Sequence, residues 1–223
     1  MRPEERENKR YSTGSINPID TEEKILFSLL GEADRKSLLD IGCGIGTISM
    51  QLQEKGFNVT GIDFSKVGIE KCKSLGLDAK LCDVDKEGLP FPDKTFDIVW
   101  AGDVIEHVFD PLFLFEEIAR VLKDDGSLLA SVPNDFFLKR RWRIFVKGKS
   151  IQSGVYRKLR QCKHHTFFSW ELLLYMLEEA NLVMNRYAAT GRKKGRKEKK
   201  IITNKTLGRL LGRKFIFSAG KLG

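Results

Sequence analysis

An open, mostly parallel β-sheet with helices on both faces is the α/β fold this sequence predicts, and three observations predict it. Short apolar runs ending in Gly or Asp alternate with amphipathic stretches from about residue 22 onwards, the rhythm of repeated strand–helix–strand units. The first apolar run leads directly into a turn holding Gly42, Gly44 and Gly46. A chain of 223 residues, 41% hydrophobic and 31% charged, is also long and apolar enough to bury one real core. The expectation is a single domain over 1–223.

A first helix at Thr21–Leu30 precedes the strand Ser37–Ile41, whose apolar run stops at Gly42. Helix Thr47–Lys55 follows, then strand Asn58–Ile62 stopping at Asp63, helix Lys66–Leu75 and strand Ala79–Cys82. Phe96–Trp100 is the fourth strand and Pro111–Leu122 the helix after it, closed by the stop signal Lys123-Asp124-Asp125-Gly126. Ser127–Val132 is the fifth strand. The spacing suits right-handed crossovers. After Pro133 the rhythm breaks into an aromatic, basic insert at about 136–163. It resumes with a helix near Trp170–Ala180, for which Ser169 is the N-cap. A sixth strand near Leu182–Ala188 and a seventh near Lys214–Ala219 finish the chain, joined by a basic connection at about 190–213 that contains Arg192–Lys200.

Lys+Arg 39 against Asp+Glu 30 gives a formal net charge of +9, unevenly distributed. Residues 1–138 hold 16 basic against 26 acidic side chains, a net −10, whereas residues 139–163 hold 10 basic and none acidic. Residues 164–185 carry −3; residues 186–223, with 13 basic side chains and one acidic, carry +12. The acidic first block is thus unsuited to gripping a nucleic-acid duplex, because phosphate binding needs clustered Lys and Arg where the ligand lies. Cys43, Cys72, Cys82 and Cys162 include no CxxC pair, which speaks against a zinc knuckle or a disulfide framework. The start MRPEERENKR lacks an apolar signal core, and no run reaches the roughly 18 apolar residues of a membrane span. A cytoplasmic protein is expected.

Glycine permits positive φ and removes the Cβ that would hold a ligand away, so the backbone of the 42–46 turn can pass close beneath a nucleotide-like cofactor. The next strand ends at Asp63, 21 residues beyond Gly42. A carboxylate there can accept hydrogen bonds from ribose hydroxyls, which suits an adenosine-containing cofactor. Dinucleotide enzymes use G-x-G-x-x-G with a pyrophosphate on the helix N-terminus. Here the spacing is Gly42-x-Gly44-x-Gly46 with Asp40 just upstream. That anion would repel a pyrophosphate but help hold a cationic amino-acid group. A nicotinamide-dependent reductase is the less favoured alternative.

Taken in order, LLDIGCGIG at 38–46, GIDFS at 61–65, Cys82-Asp83-Val84-Asp85 followed by Leu89-Pro90-Phe91, FDIVW at 96–100 and GSLLASVPN at 126–134 resemble known motifs. They are those of the class I S-adenosylmethionine-dependent methyltransferases, especially the small-molecule branch that includes the ubiquinone-biosynthesis O-methyltransferases. The resemblance covers about 36–134. It implies a Rossmann-like, doubly wound seven-stranded sheet, mostly parallel with the last strand antiparallel, and S-adenosyl-L-methionine as cofactor. It also implies cofactor contacts from Asp40, Gly42, Cys43, Gly44, Gly46, Asp63, Phe64, Asp83 and Val84, with Asp83 matching the acid that meets the adenine amine. Asp97, which begins a strand, reads as structural.

Methyl transfer is an in-line displacement helped mainly by positioning, and a base is needed only where the acceptor atom is protonated. The histidines are His107, His164 and His165. His107 lies in Asp103-Val104-Ile105-Glu106-His107, just after the fourth strand, where open sheets present their ligand crevice. A helical turn would put Asp103, Glu106 and His107 on one face, able to hold a divalent cation or orient an imidazole. The stretch resembles the acid-x-x-Glu-His of the ubiquinone O-methyltransferases, for which a metal role is implied, with Asp where that pattern commonly has Glu. Glu106-His107 seating the helix against the cofactor is the alternative. His107 and His164 are the expected catalytic residues, with no resident metal assigned; the resemblance places a histidine before the next helix at the border of the substrate pocket. Tyr11 could close over the cofactor.

The acceptor is expected to be a small molecule or lipid-like, methylated on oxygen. In the insert, Phe136, Phe137, Leu138, Trp142, Ile144, Phe145 and Val146 interleave with Lys139, Arg140, Arg141, Arg143 and Lys147. Three readings fit that composition: a helical lid with its apolar residues inward, peripheral contact with a membrane, or binding of RNA or another anion through stacking aromatics. Nucleic acid is the least favoured.

Overall fold

Alternation along the strands sets the layers. Leu38, Trp100 and Leu129 point to one face of the sheet, where they pack with Leu26 and Leu52; their neighbours Leu39, Val99 and Leu128 point to the other, with Phe115, Phe168 and Phe217. A strand buried on both faces has an apolar residue at nearly every position. The computed structural model describes Tyr11 and residues 20–147, 165–192 and 199–222.

Helix α1 (Thr21–Leu29) is started by a capping box: the Asp20 carboxylate accepts from the amides of Glu22 and Glu23, and Glu23 reaches back to the Asp20 amide. Then come β1 (Ser37–Ile41), α2 (Thr47–Glu54), β2 (Asn58–Asp63), α3 (Lys66–Ser74), β3 (Asp78–Leu81) and the one-turn α4 (Val84–Glu87). β4 (Phe96–Gly102) runs into a 3-10 turn at Ile105–His107, followed by α5 (Pro111–Val121) and β5 (Leu122–Pro133). The remaining elements are α6 (Leu138–Lys147), α7 (Trp170–Glu179), β6 (Leu182–Arg192), β7 (Lys199–Ile202), α8 (Lys205–Leu211) and β8 (Lys214–Lys221). Ser169 caps α7 by accepting from the Leu172 amide, as its position predicts.

The strand order is β3-β2-β1-β4-β5-β8-β6-β7. β1 to β5 pair in parallel, and β8 inserts antiparallel between β5 and β6. Expected as the seventh strand, this last strand is in fact the eighth. The basic connection at 190–213 contributes β7, antiparallel to β6 at the sheet edge, and then α8. Ile201 and Ile202 explain the extra strand: consecutive residues, one exposed and one buried, lay a short half-buried strand along β6.

The stop signal after α5 also takes a different form. The chain passes from helix to strand at Leu122, and residues 123–126 are absorbed in a bulge, because Phe96 pairs with Leu122 but Ile98 with Ser127. Asp97 sits in that bulge, at the end of β4 remote from the glycine turn. It accepts from the amide and hydroxyl of Ser37 and pairs with Lys123 at 2.9 Å. Burial alone would raise its pKa, but these partners outweigh it and hold the carboxyl down to about 2. Its role is to tie strands together.

Candidate cofactor and acceptor site

Strand order reverses between β1 and β4, and in open α/β sheets the ligand crevice opens beyond the carboxyl ends of the strands at that point. A cavity of about 290 Å3 lies there. Of the predicted cofactor residues, Asp40, Gly42, Cys43 and Gly44 line it, as does Tyr11. Gly46, Asp63, Phe64, Asp83 and Val84 are outside its wall. Gly46 caps α2, Asp63 ends β2 with Phe64 next to it, and Asp83 and Val84 follow β3.

The glycine turn is shaped by what crowds it. Gly42, Gly44 and Gly46 have φ of +73°, +56° and +85°. A Cβ on Gly42 would lie 2.4 Å from Val104 Cγ2, and one on Gly46 2.4 Å from Leu77 Cδ1. Left-handed backbone and lack of space act together at Gly46, so Gly46→Ala is expected to cost about 3 kcal/mol, read as a lower urea midpoint at unchanged slope.

Two buried carboxylates flank the turn. Asp63 Oδ2 accepts from the Gly44 amide at 2.9 Å, and Oδ1 from the Ser65 amide at 2.8 Å. Asp40, 2% exposed, accepts from the Ser49 hydroxyl at 2.5 Å. Burial pushes its pKa up to about 7 against that hydrogen bond, and the charges of Asp63 and Glu23 push the same way. Asp83 is held more loosely, one-third exposed and 2.6 Å from Lys86 Nζ.

On the β4 side, Asp103 and Val104 complete the wall together with Ser131 from β5 and Trp100. Asp103 has φ of +58°, so the chain leaves the helical region there, and the 3-10 turn begins only at Ile105. The helical face expected to unite Asp103, Glu106 and His107 therefore does not form. Asp103 instead accepts from the Ser131 hydroxyl at 2.7 Å and is ion-paired with Lys214 at the start of β8. Glu106 is buried; desolvation, followed by the charge of Asp103, lifts its carboxyl to about 8. A neutral carboxyl and one already paired with an ammonium are poor cation ligands. Among the described residues no three His, Cys, Asp or Glu side chains are grouped to hold a metal. The metal role implied for this stretch does not fit these residues.

His107 is half-buried and does not line the cavity; its amide donates to Val104 O at 2.8 Å. His164 lies outside the described residues, as do 148–163 of the insert. Its neighbour His165 is described. The His165 amide donates to the Glu106 carbonyl at 2.8 Å, and its ring lies 4.2 Å from that of Phe109. Sequence reasoning missed the contribution of α1, which brings Asp20, Glu22, Glu23 and Leu26 to the cavity.

Residues 39–130 match the family model described as a methyltransferase domain. The 2-methyl-6-phytyl-1,4-hydroquinone methyltransferase of a Synechocystis strain is 37% identical over 99 residues, 43% of this chain and 31% of that protein. A ubiquinone biosynthesis O-methyltransferase of Histophilus somni is 30% identical over 163 residues, 66% of this chain and 65% of that protein. The chain thus spans less than two thirds of the length of either relative. A solved structure from Thermotoga maritima, a SAM-dependent methyltransferase described as a possible histamine N-methyltransferase, superposes with a TM-score of 0.66. At 22% identity, covering 91% of this chain and 88% of that one, it shows the shared fold.

Fold, glycine turn and comparisons together liken the chain to S-adenosylmethionine-dependent methyltransferases. The likeness, carried by residues 39–130 for the domain and by the sheet order for the fold, favours that cofactor over a nicotinamide. The residues present fit the cofactor: a turn whose three glycines admit no Cβ without a close contact runs between two buried carboxylates, suited to a ligand with a ribose diol and a cationic amino-acid end.

Proposed function

We propose that the chain methylates a small, largely apolar acceptor on a hydroxyl oxygen. The observation that carries this reading is the make-up of the wall opposite the glycine turn. There the Asp103 carboxylate, hydrogen-bonded to Ser131, stands among the apolar side chains of Leu26, Trp100 and Val104. A wall that sets Leu26, Trp100 and Val104 beside carboxylates, with Asp103 fixed by Ser131, suits an aromatic or prenylated alcohol, whose hydroxyl donates a hydrogen bond to Asp103. The name of the ubiquinone relative, an O-methyltransferase, points to oxygen, and that of the hydroquinone relative to a ring that carries a long apolar chain.

In this reading Asp63 takes the ribose hydroxyls, Asp83 the adenine amine beside Phe64 and Val84, and Asp40 the cationic amino-acid end. Cys43 and the glycines contribute backbone. When bound, the cofactor supplies an electrophilic methyl group on a sulfonium. Asp103 orients the acceptor, and Ser131 and Lys214 fix Asp103.

Methylation of a panel of phenols, catechols and prenylated hydroquinones, read as S-adenosylhomocysteine release, tests the proposal; a purified chain that binds cofactor but methylates only amines would overturn it. His107 had been the leading acid/base candidate, but Asp103 holds the cavity wall. Asp103→Asn is therefore expected to lower kcat/KM by about 100-fold or more, with S-adenosylhomocysteine affinity unchanged, and His107→Gln by less than about tenfold. The reverse ranking would return proton handling to His107.

A further inference from the structure

A lid helix turns its apolar residues inward; α6 does the opposite. Leu138, Trp142, Phe145 and Val146 fall at i, i+4, i+7 and i+8, one stripe of the helix. They are 49%, 63%, 86% and 54% exposed. Toward the body α6 turns Arg140, ion-paired with the buried Asp135, and the half-buried Ile144 one turn further on. Arg141 and Lys139 are exposed, and the Arg141 guanidinium also donates to the Phe136 carbonyl. α8, which packs against α6, exposes Leu207, Leu210 and Leu211 as well. Large exposed apolar side chains on two adjoining helices mark a surface that is covered in use.

Charge decides what covers it. α6 alone carries five basic residues, Lys139, Arg140, Arg141, Arg143 and Lys147, and no acidic one, so a second copy packed on this face by a two-fold axis would set like charges together. An anionic bilayer is complementary on both counts: the apolar stripe enters the boundary between headgroups and acyl chains while the flanking cations meet phosphate.

We propose that α6 and α8 form a docking face for an anionic membrane surface, with Trp142 and Phe145 as its anchors. No helix among the described residues is long and apolar enough to cross a membrane, so the contact is peripheral. α6 begins five residues after β5 ends, and Ser131 of β5 lines the cavity. Docking therefore sets the carboxyl edge of the sheet close to the interface, where an acceptor dissolved in lipid would enter. The surface goes beyond the proposed reaction and does not depend on which acceptor is methylated.

Co-sedimentation of the full chain with vesicles, of phosphatidylcholine alone or mixed with phosphatidylglycerol, tests it. Binding is expected only to the mixed vesicles and to weaken with added salt. The double variant Trp142→Ala with Phe145→Ala should lose about tenfold in partitioning per ring. Its melting temperature and S-adenosylhomocysteine affinity should be unchanged, because both rings are exposed and outside the cavity. No binding to anionic vesicles at low salt would overturn the proposal, as would equal binding by the variant. So would a homodimer that the variant dissolves, or single-stranded RNA bound more tightly than vesicles through the same two rings. None of these results touches the cofactor site, whose failure would show instead as lost S-adenosylhomocysteine binding by the unaltered chain.

Discussion

Asp63→Ala is expected to raise the dissociation constant for S-adenosylhomocysteine by at least about 100-fold, measured by isothermal titration calorimetry. The side chain is 5% exposed and engages two elements at once, accepting from the Gly44 amide with one oxygen and the Ser65 amide with the other. Its removal leaves the Gly44 amide in the glycine turn and the Ser65 amide before α3 to find new partners, at about 1–3 kcal/mol each. It also takes away the acceptor proposed for the ribose diol, and hydrogen bonds to a charged group are worth about 1.5–3 kcal/mol. The two losses separate by measurement: the first lowers the melting temperature of the ligand-free protein, and the second lowers affinity. Asp63→Asn keeps one carbonyl oxygen of similar shape and is expected to fall between wild type and alanine in both. A destabilised Asp63→Ala protein with unchanged affinity would leave Asp63 a structural tie and remove its ribose assignment.

β1, β4 and β5 were legible because a parallel strand buried on both faces writes itself as a nearly unbroken apolar run, as Leu38, Leu39 and Ile41 do. β7 was not, since its isoleucine pair among lysines becomes a strand only because β6 offers an unpaired edge. The turn after β4 failed for a local reason. Asp103 adopts a positive φ that a non-glycine residue does not advertise, and its partners Ser131 and Lys214 lie 28 and 111 residues away. The amphipathic pattern of α6 was visible, but which side faces solvent depends on Asp135 waiting beneath Arg140. The return of α1 over the cavity was equally hidden: it rests in part on Thr190 donating to the buried Glu22 at 2.7 Å, 168 residues along the chain. The residues expected to meet the cofactor lie in local motifs, whereas the wall opposite the glycine turn is assembled by contacts distant in sequence.

Cofactor affinity is expected to rise with pH up to about 7 and level off above it, and Asp40 supplies the reason. Burial without a cation neighbour lifts its carboxyl from an ordinary 3.8 to about 7 in the ligand-free protein. A cationic ligand end favours the ionised form, so binding below pH 7 must expel a proton, and affinity falls by about tenfold per pH unit there. The stability linkage has the opposite sense. A raised carboxyl pKa means that the folded state binds more protons than the unfolded one between about pH 4 and 7, so this group's contribution to stability declines as pH rises through that window. The full difference corresponds to an upper bound of about 4 kcal/mol. Asp40→Asn should therefore make the ligand-free protein more stable than wild type at pH 8, with little difference at pH 4, while weakening cofactor binding and flattening its pH profile. Urea melts at both pH values, with titrations in two buffers of different ionisation enthalpy to count the released proton, check each part. An Asp40→Asn protein that is less stable at pH 8, or whose cofactor affinity keeps the wild-type pH profile, would show that the buried carboxylate is not the group that meets the cation. Should both parts hold, the site carries an intrinsic conflict: the acid that makes it receptive to a cation is among the groups that weaken the empty protein.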